Sequence, residues 1–487
     1  MKFLLVGFDG LRPEMITSQR MPNLCQFADG GVRFENHRCA FPSETYVNLP
    51  SLVTGTMPRR HGIIANSYLD PTVDPRVAFD GSSIERIEQA QTAYRGALYG
   101  APSMGEILAD SSRRLAVIST NSPGSVRLKH HHLANNQHLC LSCHTPETSH
   151  PPDEVAEIVA RLGSPAQKVF PDLDGVRYAT DVFLNHVIRA PLPDLTILWY
   201  GEPDNSYHVY GIGGSESAEA LRHADAEFGR ILDWWQSAEE RDALQIVVVS
   251  DHAHITQKTK VSVAALLGEA GFRIGEHLED GADLALVSGY SGGILVRDRD
   301  AGLATAVGRA LMELECCGMV FSAGRNSVEG AVPGSFAISM VMADHRRAPD
   351  LYYILRTDDE PDSHGFVGNC FFDTGLPVGG GIHGGLHASE LACTAIAAGS
   401  MFRPQTRVKS HSGIIDIAPT ILYGLGIEAW RDMDGRVLVE ALAEGTSEPP
   451  EEIPESFETG ATSFTQKLWR TRVGKQIYLD GGKRCDV

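Results

Sequence analysis

Residues 1–10 read MKFLLVGFDG, a continuous apolar run that ends in Gly and Asp. An unbroken run of this kind is typical of a strand that is buried on both faces of a parallel sheet. The run is too short to cross a bilayer and no cleavage-site pattern follows it, so we expect a cytoplasmic protein without a signal peptide. The sequence therefore predicts a buried first strand, Phe3–Phe8, with Asp9 at its carboxyl end.

Three further apolar runs have the same character, at Leu115–Ser119, Leu195–Tyr200 and Ile246–Ser250. The segment Glu216–Trp235 shows helical spacing instead, because its large apolar residues fall on one face. These residues are Leu221, Phe228, Ile231 and Trp235. Strands that alternate with helices predict an α/β sandwich, in which helices cover both faces of a mostly parallel sheet.

The composition excludes several classes of protein. A formal net charge of −20 opposes binding to a nucleic-acid polymer, because proteins that bind one present a basic surface. The nine cysteines are an odd number and do not indicate a disulfide framework, so we expect reduced thiols. A small anionic substrate is compatible with this charge if metal ions supply positive charge locally, and we expect no membrane partner.

The length of 487 residues exceeds what one hydrophobic core usually supports, so we expect a catalytic core with an inserted lobe. The inserted lobe contains shorter, strand-like segments such as Gly293–Val296 and Ser335–Val341. The segment Ile414–Ile427 is predicted to be a buried helix. The Glu-, Pro- and Ser-rich segment Glu444–Thr459 predicts a solvated linker, and the residues after it alternate like a hairpin. The predicted division is core in 1–257, inserted lobe in 258–381, core again in 382–443, and linker and tail in 444–487.

Three acidic residues, Asp9, Asp204 and Asp251, follow closely on predicted strands. Because the carboxyl ends of parallel strands meet at one edge of a sheet, we expect these side chains to converge. Histidines accompany them at positions 208, 252 and 383. Carboxylate oxygens and imidazole nitrogens in this ratio suit two divalent cations, with Zn²⁺ the first choice and Mn or Fe as alternatives. Paired cations of this kind serve phosphoryl transfer.

The segment Pro42–Asn66 reads PSETYVNLPSLVTGTMPRRHGIIAN. It resembles the nucleotide pyrophosphatase/phosphodiesterase branch of the alkaline phosphatase superfamily, in which a Thr at a helix entry is followed by VTG, P-x-x-HGI and a final Asn. Later elements appear in the family's order: EPD-x-x-x-H, SDH, G-x-HG and DIAPTIL…DMDGR. The resemblance runs from residue 1 to about residue 440 and implies an alkaline-phosphatase-like fold.

The resemblance also implies a ligand set and a reaction. One cation would be held by Asp204, His208 and His383, and the second by Asp9, Thr45, Asp251 and His252. Thr45 would be the nucleophile of a phosphodiesterase, forming a phosphothreonine that water then hydrolyses. A cation on its oxygen makes a Thr hydroxyl reactive, and the helix N-terminus favours an anionic group. Asn66 would donate a hydrogen bond to a phosphoryl oxygen.

The substrate class is less closely defined. In the phosphodiesterase branch, Tyr46 and Trp199 hold the positions of aromatic residues that stack on a base or aryl group, which favours a small phosphate diester. The alternative is phosphonoacetate hydrolase, which the same motifs also resemble, with Lys129 as the residue to test for binding the substrate carboxylate. A phosphomonoesterase is disfavoured, because no Arg matches a phosphate clamp. The oligomeric state is open, and a homo-oligomer is compatible with the sequence.

One other segment carries metal-binding residue types. Lys129–His150 contains the run KHHH, His138, Cys140-x-x-Cys143, His144 and His150. These residues suggest a third, structural zinc ion. A metal-free, His-rich surface loop is favoured, because the second pair of ligands has no regular spacing.

Overall fold

A computed structural model describes residues 1–133, 138–189, 191–239, 241–461 and 463–485. Within these residues eight strands form the central sheet, and seven of them run in one direction. Only Ala395–Ala398 is antiparallel to both of its neighbours. The strand order is Thr406–Gly413, Val32–Arg38, Ala395–Ala398, Leu244–Val249, Lys2–Phe8, Leu195–Tyr200, Leu115–Ser119 and Leu139–Ser142.

The four strands predicted from apolar runs are confirmed, and all four lie in this sheet. Alternate residues of the first strand face opposite sides, so that Leu5 joins one hydrophobic core and Val6 the other. The helix predicted at Glu216–Trp235 is also confirmed, spans Ser215–Ser237 and covers the second side.

Helices therefore cover both faces of the sheet. The described α-helices are Pro22–Gly30, Thr45–Thr54, Pro58–His61, Ile84–Ala93, Met104–Asp110, Pro123–Lys129, Pro152–Leu162, Leu173–Asn185, Asp204–Tyr210, Ser215–Ser237, Val263–Glu269, Ala301–Glu313, Ala388–Leu391 and Ile417–Gly424. The segment predicted as one helix at Ile414–Ile427 is instead a 3₁₀ turn followed by the last of these helices. Among the described helices, none has the length and apolar character needed to cross a bilayer.

Two smaller sheets follow the strand Leu244–Val249 in the chain. One has the order Ile274–Gly275, Leu284–Val287, Ser291–Val296, Leu351–Leu355, Cys317–Ser322 and Phe336–Ala337. The other has the order Thr357–Pro361, Val367–Phe372, Ile255–Lys260 and Gly381–Ile382. The strand predicted at Ser335–Val341 is therefore short, and Ile338–Val341 is a 3₁₀ turn. The first of these sheets packs on the segment before Thr45, since the ring of Phe41 lies 5.7 Å from that of Phe321.

The chain ends in a three-stranded antiparallel sheet formed by Glu452–Ala461, Phe464–Val473 and Gln476–Arg484. The hairpin prediction is confirmed, but the linker prediction for Glu444–Thr459 is wrong from residue 452 onward. The acidic residues that suggested a linker belong to an exposed edge strand, where Glu455 pairs with Arg470 at 2.8 Å. A further hairpin joins Ser67–Asp70 to Asp74–Asp80.

Candidate active site

The strands that precede Asp9, Asp204 and Asp251 are immediate neighbours in the central sheet and run parallel. Their carboxyl ends therefore lie side by side, as the sequence predicts. Asp9 and Asp251 have no exposed surface. Asp204 begins the helix Asp204–Tyr210, which places His208 one turn further along the same face.

The helix Thr45–Thr54 begins at the candidate nucleophile, and Thr45 is 7% exposed. The loop before it is held by the side-chain amide of Asn48. This amide donates to the carbonyl oxygens of residues 40, 42 and 44 and accepts from the backbone N–H of Ala40 at 2.7 Å. Asn48 thus fixes the backbone that leads into Thr45.

Thr45, Asp9 and Asp251 converge on His252. The Nε2 atom of His252 lies 3.0 Å from Thr45 Oγ1, 3.4 Å from Asp9 Oδ1 and 3.5 Å from Asp251 Oδ2. These four residues are the group that the family resemblance implies for one cation. Three of them, Asp9, Asp251 and His252, have donor atoms close enough to share one ion.

The second group surrounds Asp204. Its Oδ1 atom lies 3.2 Å from His208 Nε2 and 3.5 Å from His383 Nε2. It also lies 3.9 Å from His252 Nε2, so the two groups are contiguous. A residue that the sequence reasoning missed, His254, joins this group with its Nε2 atom 2.9 Å from the same oxygen. The signal for it was the second histidine of the segment DHAH.

Hydrogen bonds to the backbone orient the three predicted histidine ligands. Nδ1–H of His208 donates to Gly381 O at 2.8 Å, and that of His383 donates to Ser43 O at 2.8 Å. His252 makes the corresponding contact with Ala253 O at 3.2 Å. A proton fixed on Nδ1 leaves a lone pair on Nε2, which is the arrangement found in histidines that bind metals. All three Nε2 atoms face the carboxylates.

The electrostatics of the site favour bound cations. Asp9 Oδ1 and Asp251 Oδ2 are buried and lack a hydrogen-bond partner among the described residues. Burial and the neighbouring charge of Asp9 raise the pKa of Asp251 to about 7. Burial opposes protonation of His252, but the carboxylates of Asp251 and Asp9 raise its pKa to about 10, so a cation that binds Nε2 would displace a proton from it. Buried carboxylates without partners are costly, and divalent cations would satisfy them. The donor set therefore fits two such ions.

One family of known proteins matches most of the chain. The sequence model of the type I phosphodiesterase / nucleotide pyrophosphatase family matches residues 3–358. The chain belongs to this family. The family prediction is therefore confirmed. The matched residues include the segment Pro42–Asn66 and the aspartates Asp9, Asp204 and Asp251.

Curated relatives match shorter parts of the chain. A bis(5′-adenosyl)-triphosphatase from Xenopus laevis is 42% identical over 69 residues, which are 14% of this chain and 15% of that protein. Human ectonucleotide pyrophosphatase/phosphodiesterase family member 1 is 24% identical over 51% of this chain and 23% of its own length. A venom phosphodiesterase from Naja atra is 22% identical over 51% of this chain and 26% of its own. The chain thus spans about a quarter or less of the length of these relatives.

A solved structure shows the fold. The murine ectonucleotide pyrophosphatase/phosphodiesterase 5 superimposes with a TM-score of 0.61 at 17% identity, over 88% of this chain and 96% of that one. The predicted alkaline-phosphatase-like α/β fold is thereby confirmed.

Asn66 lies beside the start of the helix Thr45–Thr54. Its Oδ1 atom accepts the backbone N–H of Tyr46 at 2.8 Å, and its own backbone N–H donates to the carboxylate of Glu44. This fixes the orientation of the amide and leaves Nδ2 as a donor for a bound oxygen. Tyr46 is half-buried, and its hydroxyl contacts Ser122 Oγ at 3.1 Å.

The structure contradicts the stacking role predicted for Trp199. The side chain has no exposed surface, and its indole N–H donates to Asp9 Oδ2 at 2.8 Å. Its ring lies over Gly7 of the neighbouring strand, where an added Cβ would come within 2.0 Å of the ring. Asn121 Nδ2 donates to the same Asp9 oxygen at 2.6 Å. Trp199 and Asn121 therefore position Asp9 and leave its Oδ1 atom for a cation.

Replacing Trp199 by Phe tests this positioning role. The change keeps most of the ring volume but removes the N–H donor, so we expect the affinity for one cation to fall by about 10–100-fold. The preference between aryl and alkyl diesters should not change. Competition titration against a chromophoric chelator measures the affinity. Trp235→Phe is a matched control, because that indole donates to Leu244 O away from the site. A selective rise in KM for aryl diesters would support stacking instead.

Lys129, the residue to test under the phosphonoacetate alternative, does not face the candidate ligands. Lys129 is fully buried, lies 4.9 Å from the Trp199 ring centroid and donates to Ser125 Oγ at 3.2 Å. Burial lowers its pKa to about 7. It packs behind the site and does not line it.

Among the described residues of the segment suggested for a third zinc, His131 and His132 lie with Glu106 close enough to share one ion, but neither cysteine belongs to this group. His138 contacts Gly105 O at 3.0 Å and His144 contacts Asp172 at 2.7 Å, so both have partners elsewhere. Cys140 belongs to the buried strand Leu139–Ser142. Residues 134–137 of this segment lie outside the described residues.

Proposed function

We propose that this chain is a metal-dependent phosphodiesterase that hydrolyses small phosphate diesters through a phosphothreonine. The observation that carries the proposal is the position of Thr45 Oγ1, 3.0 Å from His252 Nε2 at the junction of the two ligand groups. A nucleophile at this junction is within reach of both ions, which is the requirement of a two-metal displacement.

Two divalent cations would be held by Asp9, Thr45, Asp251 and His252 and by Asp204, His208 and His383. When bound, they would lower the pKa of the Thr45 hydroxyl and neutralise charge on the phosphate. Zn²⁺ suits this set of imidazole and carboxylate donors.

The chain's own residues then set the course of the reaction. The bond from Thr45 Oγ1 to phosphorus forms as the bond from phosphorus to the leaving oxygen breaks. The N-terminus of the helix Thr45–Thr54 favours the negative charge of the phosphoryl group. Asn66 Nδ2 would donate to a non-bridging oxygen, since the Tyr46 N–H already occupies the amide oxygen. Water then hydrolyses the phosphothreonine and restores the hydroxyl.

Initial rates on four substrates test the proposal. They are bis(p-nitrophenyl) phosphate, thymidine 5′-p-nitrophenyl phosphate, p-nitrophenyl phosphate and phosphonoacetate, each assayed after chelation and after return of defined metals. We expect both diesters to be hydrolysed fastest and chelation to abolish the activity. A higher kcat/KM for phosphonoacetate or for the monoester would refute the diester assignment.

Tyr46 is the aromatic residue that remains for stacking, because Trp199 is buried. Tyr46→Ala should lower kcat/KM for the thymidine diester by roughly 5- to 150-fold, since base stacking contributes about 1–3 kcal/mol. Small alkyl diesters should be little affected. Tyr46→Phe is the control, because it keeps the ring and removes only the contact with Ser122. Equal losses for both substrate types would show that the ring is structural.

A further inference from the structure

His254 is the fourth histidine of the site. It is fully buried, and its ring centroid lies 5.0 Å from that of His208 and 5.0 Å from that of His383. Its backbone carbonyl accepts from Arg12 Nη1 at 2.7 Å. A Cβ added at Gly10 would come within 2.6 Å of its Nε2 atom, so the surrounding backbone holds the ring closely.

The hydrogen bonds of His254 differ from those of the other three histidines. Each of those places Nδ1 against a backbone carbonyl oxygen, which assigns the proton to Nδ1 and the lone pair to Nε2. Nδ1 of His254 is buried and has no such acceptor within the described part of the chain. A buried N–H without an acceptor is costly, so the proton belongs on Nε2. There it faces Asp204 Oδ1 at 2.9 Å.

We propose that His254 is a positioning residue that donates its Nε2–H to Asp204 Oδ1 and is not itself a cation ligand. A carboxylate oxygen has two lone pairs, so Oδ1 can accept this hydrogen bond and still bind a cation. The bond holds Asp204 in the orientation that faces His208 and His383. Residues that hold a ligand in this way typically change metal affinity by about 10–100-fold. The proposal rests on the cation binding invoked in the proposed function, but not on turnover.

If His254 acts by donating a hydrogen bond, His254→Gln and His254→Ala should differ in their affinity for cations. A glutamine amide nitrogen can take the place of Nε2 and donate to Asp204, whereas alanine cannot. We expect His254→Ala to weaken one of the two bound cations by about 10–100-fold and His254→Gln to recover most of that loss. His208→Gln is the positive control for the loss of a true ligand.

Binding of Zn²⁺ and Co²⁺ alone measures these effects, by chelator competition and by the visible absorption of bound Co²⁺. In the His254→Gln protein the Co²⁺ spectrum should match that of the wild type, and in His208→Gln it should not. An altered spectrum in His254→Gln, with affinity as low as in His208→Gln, would show that His254 is a ligand and overturn the proposal. Wild-type affinity in His254→Ala would overturn it as well. Thermal unfolding of each variant without metal identifies any variant that fails to fold. If His254→Ala fails to fold, the affinity and the Co²⁺ spectrum of His254→Gln decide whether His254 is a ligand. A wild type that binds two cations but hydrolyses no diester would refute the proposed function and leave this test intact.

Discussion

Thr45→Ala should lower kcat on every diester substrate by roughly 10³- to 10⁶-fold, because it removes the hydroxyl that we propose as the nucleophile. The fold should be retained. Thr45 is the first residue of a helix whose loop is fixed by Asn48, and that network of hydrogen bonds does not use the Thr45 side chain. Initial rates on bis(p-nitrophenyl) phosphate, together with the cation content of the purified variant, measure both parts of the expectation.

Thr45→Ser is the control for this change. It keeps the hydroxyl and removes one methyl group, so activity should survive in part and a phosphorylated protein should still form. Rapid quenching with a diester labelled at phosphorus should trap a covalent phosphoprotein in the wild type and in Thr45→Ser, and none in Thr45→Ala. If Thr45→Ala turned over at the wild-type rate, water would be the direct nucleophile and no phosphothreonine would be required.

The sequence was sufficient for the central sheet and for the residues at its edge. Runs such as Phe3–Phe8 are apolar because both faces of the strand are buried, and this local cause leaves a local pattern. The position of an acidic residue after such a run also follows from the chain itself. The convergence of Asp9, Asp204 and Asp251 could therefore be predicted from the sequence alone.

The role of a side chain at the end of a buried strand could not be predicted in the same way. The sequence does not show whether an aromatic residue at position 199 is buried or exposed. The difference arises because Gly7 of the adjacent strand leaves room for the indole ring, which then reaches Asp9. The position of Lys129 could not be predicted for the same reason, since its side chain packs on the buried Trp199 ring. Both outcomes depend on contacts between residues far apart in the chain.

His254 shows the opposite case, in which the residue type was visible but its partner was not. Its contact with Asp204 joins two strand ends that are 50 residues apart. The acidic edge strand Glu452–Ala461 is similar, because one side of the strand is solvated while Glu455 pairs with Arg470. The amino-acid composition of this segment reflects only the solvated side of the strand, and for that reason it predicted a linker.

Asp251→Asn should disable the cation site proposed to include Thr45 and so reduce turnover almost as severely as loss of the hydroxyl. The amide lacks the negative charge of the carboxylate and has only one acceptor oxygen. His383→Ala should instead weaken binding of the cation that we propose is held by Asp204, His208 and His383. Chelator competition on each variant should therefore show one cation lost and one retained, a different one in each case.

Asp251→Asn should affect the thermal stability of the metal-free protein and that of the Zn²⁺-bound protein differently. In the metal-free protein Asp251 is a buried carboxylate beside Asp9, and burial and this repulsion raise its pKa to about 7. A neutral Asn relieves the repulsion, so metal-free Asp251→Asn should unfold at the same temperature as the wild type or a higher one. Bound cation stabilises the wild type by about 2.7 kcal/mol at a hundred times Kd, and the variant should lose much of this gain. Thermal unfolding with and without Zn²⁺ measures both effects. An equal Zn²⁺-dependent rise in Tm for both proteins would show that Asp251 does not bind the cation.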